Sequence, residues 1–289
     1  MRRGSLPGSW VIWSGHHRRA IPCQGLRSGY DRAAEIDCGK ITRSDLRRSL
    51  REASCRGRGL LVEGGLLKLL TFDTCGPEGS LALADTERLS PVLDVVAMEG
   101  RTSSERLIPE LRRSMSNLGW TLQDLRAVGV VGGPGSFTGV RVGLTAAKGL
   151  CEAAGLPMVM VSRLAVLAYK AGGLRGRTHA LLDAGRGEFF YGRFEPGEEP
   201  IEALLDKDAV LRSVDAGAVI AICEDGVARA LPELVVEFVG PLSAMDVLPL
   251  VKARVDVGVF DDVPTSDANY LRRTDLEMKA RLEQRVRGG

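Results

Sequence analysis

The chain has 289 residues, of which 44% are hydrophobic and 26% charged, the profile of a globular protein long enough to bury a core. Its net charge of +2 is uneven: residues 1–65 hold 13 Lys/Arg against 6 Asp/Glu, and the other 224 hold 26 against 31. The body therefore carries −5 and offers no bulk electrostatic grip on nucleic acid.

No apolar run reaches the ~20 residues that span a bilayer. Six scattered cysteines without a C-x-x-C pair argue against a disulfide framework, and no H-x-x-x-H or H-E-x-x-H pair occurs. The expected compartment is a reducing cytoplasm, away from membranes.

In chain order, residues 1–65 are rich in Arg, Gly and Ser and read as a basic extension, with one short basic helix over Ile41–Ala53. A start of translation further downstream fits the same composition. From Leu66 the run LLKLLTFDTCGPEGSLALAD reads as an apolar strand ending in Asp73, a Gly/Pro turn and a returning strand. Arg101–Leu118 reads as a helix capped by Thr102 or Ser103 ahead of Glu105, with Leu107, Leu111, Met115 and Leu118 on one face. Ala127–Val131 is a short buried strand. Gly132-Gly-Pro-Gly135 turns the chain into a helix capped by Ser136 or Thr138 and closed by Gly155. Pro157–Val161 is a further strand, and Ser162 caps a helix through Lys170. GGLRG (172–176) separates two halves, 66–174 and 175–276, and 277–289 forms a basic tail. In the second half THALLDAGRGEFFYGRFE repeats strand, Asp183, turn and strand, 110 residues after the first. Ala218–Cys223 and Val235–Val239 read as strands. The pattern is α/β. The repeated hairpin fits either a duplicated unit or two unrelated hairpins, since Asp before Gly is common turn chemistry.

The glycine-rich turn presents a helix N-terminus, a natural anion site. It is not a P-loop, because Val140 follows Gly139 where Lys is required, and not a dinucleotide turn, because Thr138 takes the last glycine slot. The glycines also suit a tight strand-to-helix turn alone. Ser136 lies outside a G-x-S-x-G elbow, and beyond residue 65 the sole histidine is His179. A Ser–His or Cys–His couple is poorly supported. Asp73 and Asp183, both at strand ends, suit either Mg²⁺ in a phosphoryl-transfer cleft or turn capping.

GGPGSFTGVRVGLTAAKGLCEAAGLPMVMVSRLAVLA (132–168) resembles the TsaB family, also called YeaZ. LLTFDTCGPEGSLAL is similar to that family's opening hairpin, DAGRGEFFYGRF (183–194) to its second, and NYLRRTD (269–275) to its closing segment. The resemblance covers about residues 66–276. It implies an actin/Hsp70/sugar-kinase-like (ASKHA) fold of two ribonuclease-H-like halves, which accounts for the repeated hairpin.

It also implies a non-catalytic scaffold subunit that binds and activates a homologous transferase, TsaD. With the ATPase TsaE, that complex adds threonylcarbamoyl to the adenosine beside the anticodon of ANN-decoding tRNAs. The implied protein holds no cofactor tightly, the complex consumes ATP, tRNA is reached through the complex, and a homodimer forms when the protein is alone. Three positions depart from the family: Ser103 stands where a His is frequent, Cys75 where Ser is usual and Gly185 where Arg is common. They bear on any residual ligand role at those three positions, while Asp73, Thr74 and Asp183 are the candidate residual nucleotide-site positions. Partner contact is expected through Leu107, Leu111, Met115, Val140, Gly143, Leu144 and Ala147, with Ala147→Glu breaking docking and sparing the fold. The alternative reading is an ATP-dependent phosphotransferase of the sugar-kinase type.

Overall fold

The computed structural model describes residues 67–86, 92–99, 102–172 and 176–271. The basic extension with its Ile41–Ala53 helix, the centre of the 172–176 boundary, the last residues of the NYLRRTD segment and the basic tail lie outside them.

Alternating apolar runs form two five-stranded sheets. The first holds β1 (Lys68–Asp73), β2 (Gly79–Asp85), β3 (Val92–Met98), β4 (Ala127–Val131) and β5 (Met158–Val161), in the order β3-β2-β1-β4-β5. The second holds β6 (Thr178–Gly185), β7 (Glu188–Phe194), β8 (Ile201–Asp206), β9 (Val219–Ile222) and β10 (Glu237–Phe238), in the order β10-β9-β6-β7-β8. Read from the other edge, the second order repeats the first. In each sheet an antiparallel meander is followed by parallel strands: β1 pairs β2 antiparallel and β4 parallel, and β6 pairs β7 antiparallel and β9 parallel. The two hairpins are therefore the same unit used twice.

Three helices serve the first half: α1 (Ser103–Leu118), α2 (Phe137–Ala154) and α3 (Arg163–Lys170). Three more follow: α4 (Lys207–Ser213), α5 (Asp225–Ala230) and α6 (Ala244–Asp256). Because strand side chains alternate, Leu70 and Phe72 of β1 and Val128 and Val130 of β4 face α1 and α2. Leu69, Ala127 and Val131 face a central layer of α3 and α6. Phe190 and Phe194 enter this layer from the second sheet, whose other face gathers Leu181, Phe189 and Tyr191 with Val210 and Val227 of α4 and α5. α3 is buried on nearly every side, as an apolar helix between two sheets must be.

α6 belongs by sequence to the second half yet covers the first sheet. Thr71 Oγ1 donates to Ala244 O at 2.7 Å, and the Ala244 amide donates to Ser80 Oγ at 2.8 Å. Any Cβ at Gly129 would collide with Val251, so a glycine in mid-strand β4 admits the helix.

One expectation is corrected. Thr102 precedes α1 in helical geometry and makes no side-chain cap; its hydroxyl donates to Glu99 O at 2.7 Å instead.

Candidate functional site in the cleft between the halves

Both repeated hairpins end beside one cleft of about 1170 Å³. The β1–β2 turn, the N-termini of α1 and α2, Arg163, the β6–β7 turn, Glu224 and the segment Asn269–Leu271 line it.

The glycine-rich turn is shaped by close packing. A Cβ at Gly135 would strike Cys75 O, one at Gly139 would strike Thr74 O, and one at Gly143 would strike Thr74 Oγ1. Thr74 Oγ1 donates to Gly139 O at 2.6 Å, and the Ser136 amide donates to Cys75 O at 2.9 Å. The glycines thus bring α2 against the end of β1. Of the two expected caps, Ser136 serves: its Oγ accepts the Gly139 amide at 3.3 Å.

Asp73 is buried at the end of β1 and accepts the Cys75 amide at 2.9 Å. Its second oxygen lies 3.7 Å from Arg163 Nε. Burial pushes the Asp73 carboxyl above its ordinary range, against the opposing pull of the Arg163 charge. Arg163 Nη1 lies 3.6 Å from Glu224 Oε1, and Glu224 Oε2 accepts the Asp183 amide at 2.8 Å. Asp183 Oδ1 accepts the Gly185 amide at 2.7 Å. The two strand-end aspartates therefore meet through a guanidinium, with Glu224 as relay. Neither Arg163 nor Glu224 stood out in the sequence, since a lone Arg at a helix start reads as a surface residue. Asp73 and Thr74 are committed to internal contacts, and Asp183 remains at the cleft lining. A resident cation beside Asp73 opposes Mg²⁺ there. Among the described residues no group of three or more His, Cys, Asp or Glu could hold a metal ion.

The expected partner residues are corrected by burial. Leu107, Leu111, Met115, Val140, Gly143, Leu144 and Ala147 are all buried in the chain itself. They are the stripes with which α1 and α2 cover the sheet; turned outward they would leave Phe72 and Val128 bare. The remaining apolar positions of α1 and α2 are Ile108 at 40% exposure, Phe137 at 45%, which stacks on Tyr270, and half-buried Val142, Ala146 and Leu150, which pack at the margin of the core with part of their surface outward. Exposed Gly149 lies among them, and a Cβ placed on it meets nothing within 4 Å.

Two sheets of matching order around a shared cleft define the ASKHA fold. A family model described as TsaD: tRNA N6-adenosine threonylcarbamoyltransferase matches residues 97–244, just over half of the chain. The chain is 32% identical over 148 residues to the tRNA threonylcarbamoyladenosine biosynthesis protein TsaB of Escherichia coli, a match covering 50% of this chain and 63% of that protein. With the Bacillus subtilis TsaB it is 29% identical over 145 residues, 50% of this chain and 62% of that protein. Among solved structures, YeaZ from Pseudomonas aeruginosa superposes with a TM-score of 0.61 at 27% identity, covering 71% of this chain and all of that one. The chain belongs to this family, in its TsaB (YeaZ) branch.

Proposed function

We propose that the protein is an accessory subunit in the formation of threonylcarbamoyladenosine in tRNA, docking through the outer faces of α1 and α2 onto a TsaD-type transferase that carries the chemistry. The observation that carries this reading is Gly149. An exposed glycine in mid-helix costs about 1 kcal/mol relative to alanine, and no contact among the described residues requires it. A second backbone approaching α2 from outside supplies a reason, and Val142, Ala146 and Leu150 offer that backbone an apolar seat beside it.

The names of the relatives support the pathway. The committed contacts of Asp73 and Thr74 support catalysis in the partner. ATP consumption belongs to the complex, through an ATPase of the TsaE type, with no cofactor held tightly by this chain. With a −5 body, tRNA is reached through the complex. In the partner's absence a second copy takes the same face. A reducing cytoplasm is the setting for these reactions.

The test is co-purification of Gly149→Arg and Thr145→Arg variants with a TsaD-type protein. Both side chains point to open surface, so the expected result is a normally folded chain that no longer pairs. Unchanged pairing by both variants sinks the docking face. ATP turnover by the lone chain, abolished by Asp73→Ala, would favour the sugar-kinase alternative instead.

A further inference from the structure

We propose that the cleft holds a small oxyanion, a carboxylate or phosphate group, between the Arg163 guanidinium and the N-terminus of α2. The Arg163 side chain is only 6% exposed, and its Nε is buried without a hydrogen-bond partner among the described residues. Its two acidic neighbours stand at 3.7 and 3.6 Å, outside hydrogen-bond range. A guanidinium carries five donors in a planar fork. Burying one with such distant acceptors is costly unless something else meets the fork.

Gly76 borders the guanidinium on the cleft side. A Cβ there would lie 2.5 Å from Arg163 Nη2, so the glycine leaves that nitrogen uncovered. The 18-residue α2 begins in the same lining with Phe137 and Thr138; its cap Ser136 takes the Gly139 amide on Oγ and the Val140 amide on its carbonyl. The first two amides of α2 have no acceptor among the described residues, and the helix dipole adds positive potential there. The 16-residue α1 starts in the same lining with Ser103 and Ser104 and has no side-chain cap.

Two carboxylates also line the cleft, Asp183 and, beside the guanidinium itself, Glu224. They limit the ligand to a single negative charge at the guanidinium and favour one with a neutral or cationic remainder. A planar fork and paired oxygens match in geometry, which makes a carboxylate or a phosphate ester the fitting chemistry.

The site is tested by titrating the full chain with inorganic phosphate and, separately, with acetate at constant ionic strength. Amide NMR shifts of Phe137 and Thr138 give the readout. Saturable shifts with either anion, weakened about tenfold or more (about 1.4 kcal/mol) in Arg163→Met, support the site. Which anion binds tells phosphate from carboxylate ligands. Should Arg163→Met unfold, Gly76→Ala serves, since its methyl displaces only the end of a flexible side chain. Weakened binding is expected there too. No saturable shift with either anion in the native chain, or shifts that Gly76→Ala and Arg163→Met leave unchanged, overturns the proposal. That outcome leaves the docking face of α1 and α2 untouched, because none of its residues is probed.

Discussion

The two halves share a sheet order but not a helical investment. After the third strand of the meander the first half builds a 16-residue helix, and the second builds one of 7. After the fourth strand the first half builds 18 residues and the second 6. Both sets cover the outer face of their own sheet, and the short pair suffices for that in the second half. The longer helices of the first half exceed what covering a sheet requires, and their surplus is the outward stripe around Gly149. The longer helices lie on the half that the proposed docking face occupies.

The largest effect expected from this contrast concerns the inward stripe. Ala147→Glu places a carboxylate in the packed layer beneath α2, and we expect it to cost about 4 kcal/mol or more. Chemical denaturation of the purified variant measures it. A variant as stable as the native chain would show that α2 is not seated as described.

Next come two glycines on the same helix. Gly139→Ala drives a methyl into Thr74 O and is expected to cost about 1–3 kcal/mol. Gly149→Ala meets open space and is expected to stabilise the isolated chain by about 0.5–1 kcal/mol. Thermal melts of both variants read the opposite signs, and equal signs would erase the distinction between inner and outer faces.

The smallest effect falls in the second half. His179 is fully buried, with Nδ1 2.9 Å from Tyr191 Oη and Nε2 accepting the Asp215 amide at 3.4 Å. Burial holds its pKa below the ordinary 6.5, although Asp215 pulls the other way. The unfolded chain then binds more protons than the folded one, so stability is present above the ordinary value and declines as pH falls through it. Denaturation midpoints across this range should drop less for His179→Gln than for the native chain. Identical slopes would remove His179 as the cause.

Much of the cleft was legible beforehand. The strand ending in Asp73, the second hairpin, whose strand runs two residues past Asp183 to Gly185, and the glycine turn into a capped helix are readable because turn chemistry and periodicity are local. The direction of each helix face was less accessible. Leu107, Leu111, Val140 and Ala147 form stripes of the right period, and a stripe of that strength is the one a sheet claims first. The weaker stripe of Ile108, Ala146 and Leu150 becomes visible only once the stronger one is assigned inward. β3, β8 and the three helices α4 to α6 escaped notice because short or mixed apolar runs carry little periodicity. Arg163 was hidden for a different reason: its burial depends on Asp73 and Glu224, residues 90 and 61 positions away.

The return of α6 to the first sheet has a consequence for synthesis. Between the end of β4 at Val131 and the start of α6 at Ala244 lie 112 residues. At about 5–20 residues per second, a nascent chain waits roughly 6 to 22 s with one face of its first sheet lacking the helix that covers it. Leu69, Gly129 and Val131 border that face, and during the wait their apolar surface is open to other chains. The first half is translated first, yet its sheet is covered only after every strand of the second sheet has been made.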